Sequence, residues 1–203
     1  LSAEGSGLTI AGWTADSLVA GADIADAGRD SSRATLALMG VRGASVALDS
    51  VMLDAAGSRE AHAVTLLARS PDDTLDSRVT GALADGHWTG TLRRLQLRSA
   101  LAGSWRLRDS ARIAISADSG AVDELCWVGD GELCLAASWG AGGARWSASG
   151  RALPMEFFRP ALPQGLMARG AFDLESEGRT GGGPVPTGTF RLKADAHGAG
   201  RIG

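Results

Sequence analysis

Apolar residues recur at every second position in short stretches of this chain, and Gly, Asp or Ser interrupts each stretch. In the clearest stretch, residues 101–108, Trp105 and Leu107 fall on one side of an extended backbone and Arg106 falls on the other. Period-two alternation predicts a sheet with one apolar face and one solvated face. The same pattern predicts further strands at residues 7–13, 17–24, 34–39, 44–54, 60–69, 74–84, 88–98, 112–117, 133–139, 144–150, 171–177 and 187–194.

The composition favours β-structure in water. The chain holds 29 glycines in 203 residues, and glycine is unfavourable in helices. It has 6 Trp, 4 Phe and no Tyr, which supplies the aromatic girdles of a transmembrane barrel poorly. A formal net charge of −3 offers no basic field for nucleic acid. No apolar run reaches the roughly 18 residues that a membrane-spanning helix needs.

Two predicted strands change phase, one after residue 48 and one after residue 92. One added residue moves every later side chain to the opposite face, so we expect β-bulges near Ser50 and near Arg93 and Arg94. Repeated bulges curl a sheet. The predicted fold is therefore all-β, a long antiparallel meander curled into an open trough with a hydrophobic interior.

The two cysteines, Cys126 and Cys134, flank a Gly-Asp-Gly sequence. If they lie directly opposite each other, residues 129–131 form a three-residue hairpin loop and Trp127 faces Leu133. Directly opposed residues can come within disulfide reach, which predicts a disulfide formed in an oxidising compartment such as a bacterial periplasm. The alternative is a pair of reduced cysteines in a cytosolic protein. Two cysteines and three scattered histidines do not make a metal site, and we predict no metal or cofactor.

Residues 153–163 break the β pattern with three prolines. Pro154 near the start and Pro160 at the end predict a short helical segment, interpreted as a plug against an edge or end of the sheet. The alternative is an element that contacts lipid or a partner. Residues 178–186 are predicted to form a Gly/Pro-rich loop. The chain begins and ends without a terminating feature, so residues 1–203 are expected to be one segment of a larger β-repeat array.

A series of short motifs runs through the middle of the chain. In order, they are W-x-G-x-L-x-x-L-x-L from Trp88 to Leu97, G-x-W-x-L from Gly103 to Leu107, L-C-L from Leu133 to Leu135, L-P at Leu153 and L-P-x-G from Leu162 to Gly165. Each motif is weak alone, but the series over residues 44–180 resembles the TamB family, the translocation and assembly module subunits of Gram-negative bacteria in the AsmA-like group.

The resemblance implies a fold, a compartment and partners. Members are anchored in the inner membrane by an N-terminal helix, cross the periplasm as a taco-like trough with an apolar interior, and meet an outer-membrane barrel, TamA. They are linked to phospholipid movement between the membranes and to the assembly of autotransporters and other outer-membrane proteins. This chain is then expected to be an internal periplasmic segment.

Two functions fit this reading, and neither is enzymatic. The first is a hydrophobic groove that shields phospholipid acyl chains, and the alternative is a chaperone-like scaffold that receives unfolded β-strands for insertion into the outer membrane with TamA. The predicted groove residues are Leu101, Trp105, Leu107, Ile113, Ile115, Leu125, Trp127, Leu133 and Leu135. No enzyme is expected, because His62 and His87 lie in strand-like stretches without a nearby nucleophile and the glycines at 181–183 lack the lysine of a phosphate loop.

Overall fold

The chain is built from antiparallel strands in two units. A computed structural model describes residues 1–25, 31–43, 46–156, 166–181 and 188–202. The first unit spans Leu1–Ser99 and the second spans Ala100–Gly203. Within the described ranges nearly every residue outside a turn is in a strand, and the predicted all-β antiparallel meander is confirmed.

In the part of unit 1 that the structure describes there are seven strands, and each pairs with the next one along the chain. They are β1 (Ser2–Ile10), β2 (Trp13–Asp23), β3 (Ser32–Gly43), β4 (Val46–Gly57), β5 (His62–Arg69), β6 (Asp73–Ala84) and β7 (His87–Ser99). Two of the hairpins have two-residue turns, at Ala11-Gly12 and Asp85-Gly86, in which all four residues have positive φ. Turns of this hand match the twist of the paired strands, so the local sequence sets the strand pairing.

The described residues of unit 2 also form seven strands. They are β8 (Gly103–Leu107), β9 (Ala111–Ile115), β10 (Gly120–Val128), β11 (Glu132–Gly140), β12 (Gly143–Pro154), β13 (Leu166–Gly181) and β14 (Gly188–Ile202). One edge of β10 pairs with β9 along its first half and with β8 at its end, and the other edge pairs with β11. From β11 to β14 the strands form a simple meander.

The structure confirms one of the two predicted bulges. In β7 the pairing with β6 shifts between Arg78 and Val79, which leaves Arg93 as the extra residue and keeps Leu92 and Leu95 on one face. The bulge predicted near Ser50 is wrong, because β4 keeps a single register with both of its neighbours.

The phase change near residue 50 arises from a different backbone feature. Gly40 in β3 has φ of +59°, a left-handed conformation that glycine adopts without a β-carbon clash. On its two sides, Met39 is 48% exposed and Val41 is 8% exposed. Ser50 pairs with Met39, and Leu48 pairs with Val41, in an unbroken register. The two strands therefore change phase together, and no residue is added to either.

Three sequence predictions need correction at their boundaries. Strand β8 begins at Gly103, so Leu101 lies in the preceding turn. Pro154, predicted to begin a helical segment, is the last residue of β12, a position beyond which no ladder hydrogen bond is required. The next two residues begin a 3₁₀ turn, and residues 157–163 of the predicted plug lie outside the described ranges. In the predicted loop, residues 178–181 continue β13 and residues 182–186 lie outside the described ranges.

Few side chains are fully removed from solvent. The buried apolar residues among those described are Ala15, Val41, Leu92, Trp105, Ala111, Cys126, Cys134, Leu153 and Phe172. Most other apolar residues on the strands are half-buried. Apolar surface in each unit is therefore shielded mainly by neighbouring side chains on the same sheet face.

Candidate functional site

The structure places the predicted groove residues of β8 to β11 on one face of unit 2. Directly paired residues point to the same side of a sheet. Leu107 pairs with Trp127, which pairs with Leu133, and Leu125 pairs with Leu135. This face also continues onto β9, and we call it the apolar face of unit 2.

A bulge in β10 aligns β9 with the same face. The pairing of β10 with β11 shifts between Val122 and Leu125, so both of these apolar residues point to one side. Ile113 pairs with Val122, and Ile115 pairs with Gly120, so both isoleucines share the apolar face. Trp105 and Leu107 alternate with an arginine on β8 and join the same side. Leu101 precedes these strands and is 42% exposed.

The opposite side of unit 2 is its charged face. Cys126 and Cys134 lie directly opposite each other there and form a disulfide across the hairpin at residues 129–131. Val128 pairs with Glu132, and Trp127 pairs with Leu133 as the sequence predicted. Sulfurs joined in a disulfide are not the thiolates that a metal ion binds, although the carboxylate of Glu124 lies within 4.8 Å of them.

Arg108 ties several acidic residues together beside the disulfide. Its guanidinium bonds to Glu132, lies 3.2 Å from Asp109 and 3.7 Å from Glu124, and its backbone N–H donates to the carbonyl of Cys126. The hydrogen bond to Asp109, followed by the charges of the nearby carboxylates, raises the pKa of Arg108 above its ordinary value. The polar side of this hairpin is thus an ion-pair network that contrasts with the apolar face behind it.

Unit 1 has a larger apolar face that sequence alternation alone did not single out. The cross-strand pairs of β2 to β7 align apolar residues in three rows. The rows are Leu18–Leu38–Val51–Ala68–Leu75–Leu97, then Ala20–Leu36–Leu53–Leu66–Ser77–Leu95, then Ala22–Ala34–Ala55–Val64–Val79–Leu92. Apart from the exposed Ala34 and the buried Leu92, all of these residues are half-buried. The rows form a continuous apolar surface one residue layer thick.

The reverse side of the same strands is largely polar. Arg33 bonds to Asp54 at 2.6 Å, and Arg94 lies 3.1 Å from Asp76. Both arginines are exposed, whereas Asp76 is half-buried. The exposed pair of Arg33 and Asp54 contributes little to stability but keeps this side hydrated. Unit 1 therefore has the same two-faced character as unit 2.

A glycine-rich row ends the apolar face of unit 1. Gly57, His62, Gly81 and Gly90 are aligned across β4 to β7, and the indole of Trp88 lies over the last two glycines. A β-carbon on either glycine would overlap the indole ring. An aromatic ring over a cross-strand glycine replaces the packing that glycine lacks.

The same arrangement recurs at other tryptophans of the chain. The indoles of Trp13, Trp139 and Trp146 lie over Gly43, Gly120 and Gly178, and each of these glycines is the direct cross-strand partner of its tryptophan. These glycines and tryptophans are thus two parts of one cross-strand packing arrangement.

His62 is engaged by hydrogen bonds on both ring nitrogens. Trp88 Nε1 donates to His62 Nε2 at 2.7 Å, and His62 Nδ1 lies 3.2 Å from the carbonyl oxygen of Ser58. Because the indole N–H can only donate, Nε2 must accept, and Nδ1 carries the proton that reaches Ser58. This neutral imidazole serves to hold Trp88 in place. His87, the other histidine weighed as a catalytic candidate, is exposed at the start of β7.

Nearly the whole length of both units matches one protein family. A family model described as the N-terminal domain of TamB covers residues 1–199. The chain belongs to the TamB family. The match extends beyond residues 44–180, which carried the resemblance in sequence, and so includes β1, β2 and most of β14.

TamB-family membership indicates a protein of the bacterial envelope. No curated protein and no solved structure matches the chain. Among the residues that the structure describes, no helix is long and apolar enough to cross a membrane. The two apolar faces are consequently the features from which a function for this TamB-family chain can be argued.

Proposed function

We propose that the apolar faces of this chain shield phospholipid acyl chains as they move between the inner and outer membranes. The three aligned rows of unit 1 carry this proposal. With strands about 4.8 Å apart and same-face residues about 6.8 Å apart, six strands and three rows cover roughly 24 by 14 Å, or some 300 Å² between α-carbons alone. An exposed apolar patch of that extent is the size at which a binding role is expected.

The chemistry of the rows fits an acyl chain. Leu38, Leu53 and Leu66 offer no hydrogen-bonding groups, and Ser77 is the only hydroxyl in the three rows. A ligand without polar atoms loses nothing on such a surface and gains roughly 25 cal/mol for each Å² removed from water. The apolar face of unit 2, centred on Trp127 and Leu133, offers the same chemistry.

The proposal includes a compartment and a partner. The Cys126–Cys134 disulfide supports an oxidising compartment, for which the periplasm of a Gram-negative bacterium is the candidate. We expect the full-length protein to be anchored in the inner membrane and to work with a TamA-like outer-membrane barrel. The role is non-enzymatic, because shielding needs a surface and no reacting group.

Paired positions on opposite faces provide the first test. A photo-crosslinking amino acid at Leu66, on the apolar face, is compared with one at Thr65, which is equally half-buried and points to the polar side. In the full-length protein in cells, Leu66 should capture phospholipid and Thr65 should not. Capture of unfolded barrel proteins without lipid at Leu66 would favour the chaperone-like scaffold and contradict the acyl-chain proposal.

A charge on the apolar face provides the second test. Ile115→Asp places a carboxylate on the apolar face of unit 2 at a residue that is 44% exposed, so folding should survive. Ala114→Asp is the matched control, because Ala114 is exposed on the opposite face of the same strand. Only the first variant should slow phospholipid supply to the outer membrane. Equal supply in both variants would overturn the proposal.

A further inference from the structure

A cleft of about 930 Å³ lies across β10 to β14 of unit 2, and most of its lining residues belong to the charged face. Its walls are two neighbouring cross-strand rows of side chains on β11 to β14. The rows are Ala136–Ser147–Glu177–Arg191 and Ser138–Arg145–Arg179–Thr189. We call this feature the arginine cleft.

The arginine cleft is lined by three arginines and three carboxylates, and the arginines lie on β12 to β14. Arg145 and Arg179 are direct cross-strand partners, and like charges in that position repel each other. Within the described ranges neither of them makes an ion pair. The nearest carboxylate, Glu177, lies 3.0 Å from Arg191 and is therefore already engaged. The two rows thus hold three arginines and one carboxylate.

The remaining acidic residues of the cleft lie at its far end. Asp123 and Glu124 are on β10, two strands away from Arg145 on β12. Two strand spacings separate the two backbones by roughly 10 Å. A direct ion pair across that distance would require extended side chains. Glu124 is drawn toward Arg108 on its other side, at 3.7 Å. Among the described residues, Arg145 and Arg179 therefore have no direct ion pair with the carboxylates of the cleft.

We propose that the arginine cleft binds a phosphate ester, with its oxygens between the guanidinium groups of Arg145 and Arg179. A phosphate offers several acceptor oxygens, and a guanidinium presents paired donors that match them. Hydroxyl groups of Ser138, Ser147 and Thr189 flank the two arginines and can donate to the same oxygens. The proposal is independent of the acyl-chain proposal, because Arg145 and Arg179 lie on the charged face of unit 2 and not on its apolar face.

Binding would resolve the repulsion that the free protein carries. An anion between Arg145 and Arg179 interacts favourably with both, so ligand binding should stabilise unit 2 and should weaken as salt is raised. Two sources could supply such a phosphate group, the headgroup of a phospholipid or a soluble phosphate ester. The experiment below separates these sources.

Two ligands distinguish the sources. Binding of the full chain is measured to phosphatidylcholine vesicles with and without phosphatidic acid, and to glycerol 3-phosphate in solution by the rise in melting temperature. The double variant Arg145→Gln/Arg179→Gln should lose at least about tenfold in affinity, since each guanidinium supplies charge-assisted hydrogen bonds. Binding to vesicles alone assigns the cleft to a lipid headgroup, and binding to both ligands assigns it to phosphate esters generally.

A matched double variant controls for overall charge. Arg106→Gln/Arg112→Gln removes the same charge from exposed arginines of unit 2 outside the cleft. Equal loss in the two double variants would overturn the proposal, as would the absence of binding by the unsubstituted chain.

A second measurement does not require a ligand. Without phosphate, Arg179→Gln should melt at or above the temperature of the unsubstituted chain, because it relieves the repulsion with Arg145. A large fall in its melting temperature would show that Arg179 has a structural partner and would also overturn the proposal.

Discussion

Removing the disulfide should reduce the stability of unit 2 by an amount that follows from its sequence separation. Cys126 and Cys134 are 8 residues apart. The loop-closure relation gives about 2.6 kcal/mol of stabilisation for a cross-link that closes a loop of this length, through the entropy that the unfolded chain loses. For a chain of this size that corresponds to a fall of roughly 5–10 °C in melting temperature.

Two forms of the protein separate the covalent bond from the packing of the sulfurs. The Cys126→Ala/Cys134→Ala variant removes both, and the sulfurs are well shielded, since the two residues are only 3% and 8% exposed. Reduction with dithiothreitol breaks the bond but leaves the thiols in place. The reduced protein should lose about 2.6 kcal/mol of unfolding free energy, and the double variant should lose somewhat more.

The assay is urea unfolding followed by tryptophan fluorescence, because Trp127 neighbours one cysteine and pairs with Leu133 beside the other. Free energies of unfolding are extrapolated to water with the slope of each transition. Coincident transitions of the oxidised and reduced proteins would refute the reasoning, because the bond would then not destabilise the unfolded chain relative to the folded one.

Three further changes test the sheet itself. Gly178→Ala places a methyl group against the indole of Trp146, so the free energy of unfolding should fall by about 1–3 kcal/mol, with altered fluorescence. His62→Ala leaves the Trp88 N–H without its acceptor, so chemical denaturation should show a loss of about 1 kcal/mol. Deletion of Arg93 removes the bulge but keeps the later leucines on their face, so circular dichroism and melting should change little.

Each of these changes has a control in the same chain. Gly142→Ala adds a methyl group in open space and should be nearly neutral. His87→Ala alters an exposed histidine and should have almost no effect. Deletion of Gln96 moves Leu97 to the polar side and should cost more than deletion of Arg93. Equal effects within any of these pairs would contradict the corresponding argument.

The hairpin at the disulfide could be predicted because its constraints are local. The Gly-Asp-Gly loop fixes the number of residues between Cys126 and Cys134, and alternation then fixes which partners face each other. The register of the whole hairpin follows from these two facts. The groove residues on β8 to β11 were placed on one face by the same reasoning.

The apolar rows of unit 1 could not be predicted in the same way. A row depends on the registers of six strands at once, and each register depends on turns whose lengths alternation does not give. A left-handed residue and an inserted residue change the alternation of apolar residues in one strand in the same way. The phase change at Gly40 was therefore predicted as a bulge near Ser50. Pro154 was misjudged because its position at a strand end became clear only from the neighbouring strand.

From β1 to β7, each strand pairs with the next strand along the chain. A hairpin could therefore be duplicated or lost during evolution while every remaining pair kept its partners, as happens in repeat proteins. Each hairpin gained or lost would change the reach of such a sheet by about 9.6 Å, twice the strand spacing. Evolution can thus change the length of the sheet in small steps while the remaining strand pairs stay as they are.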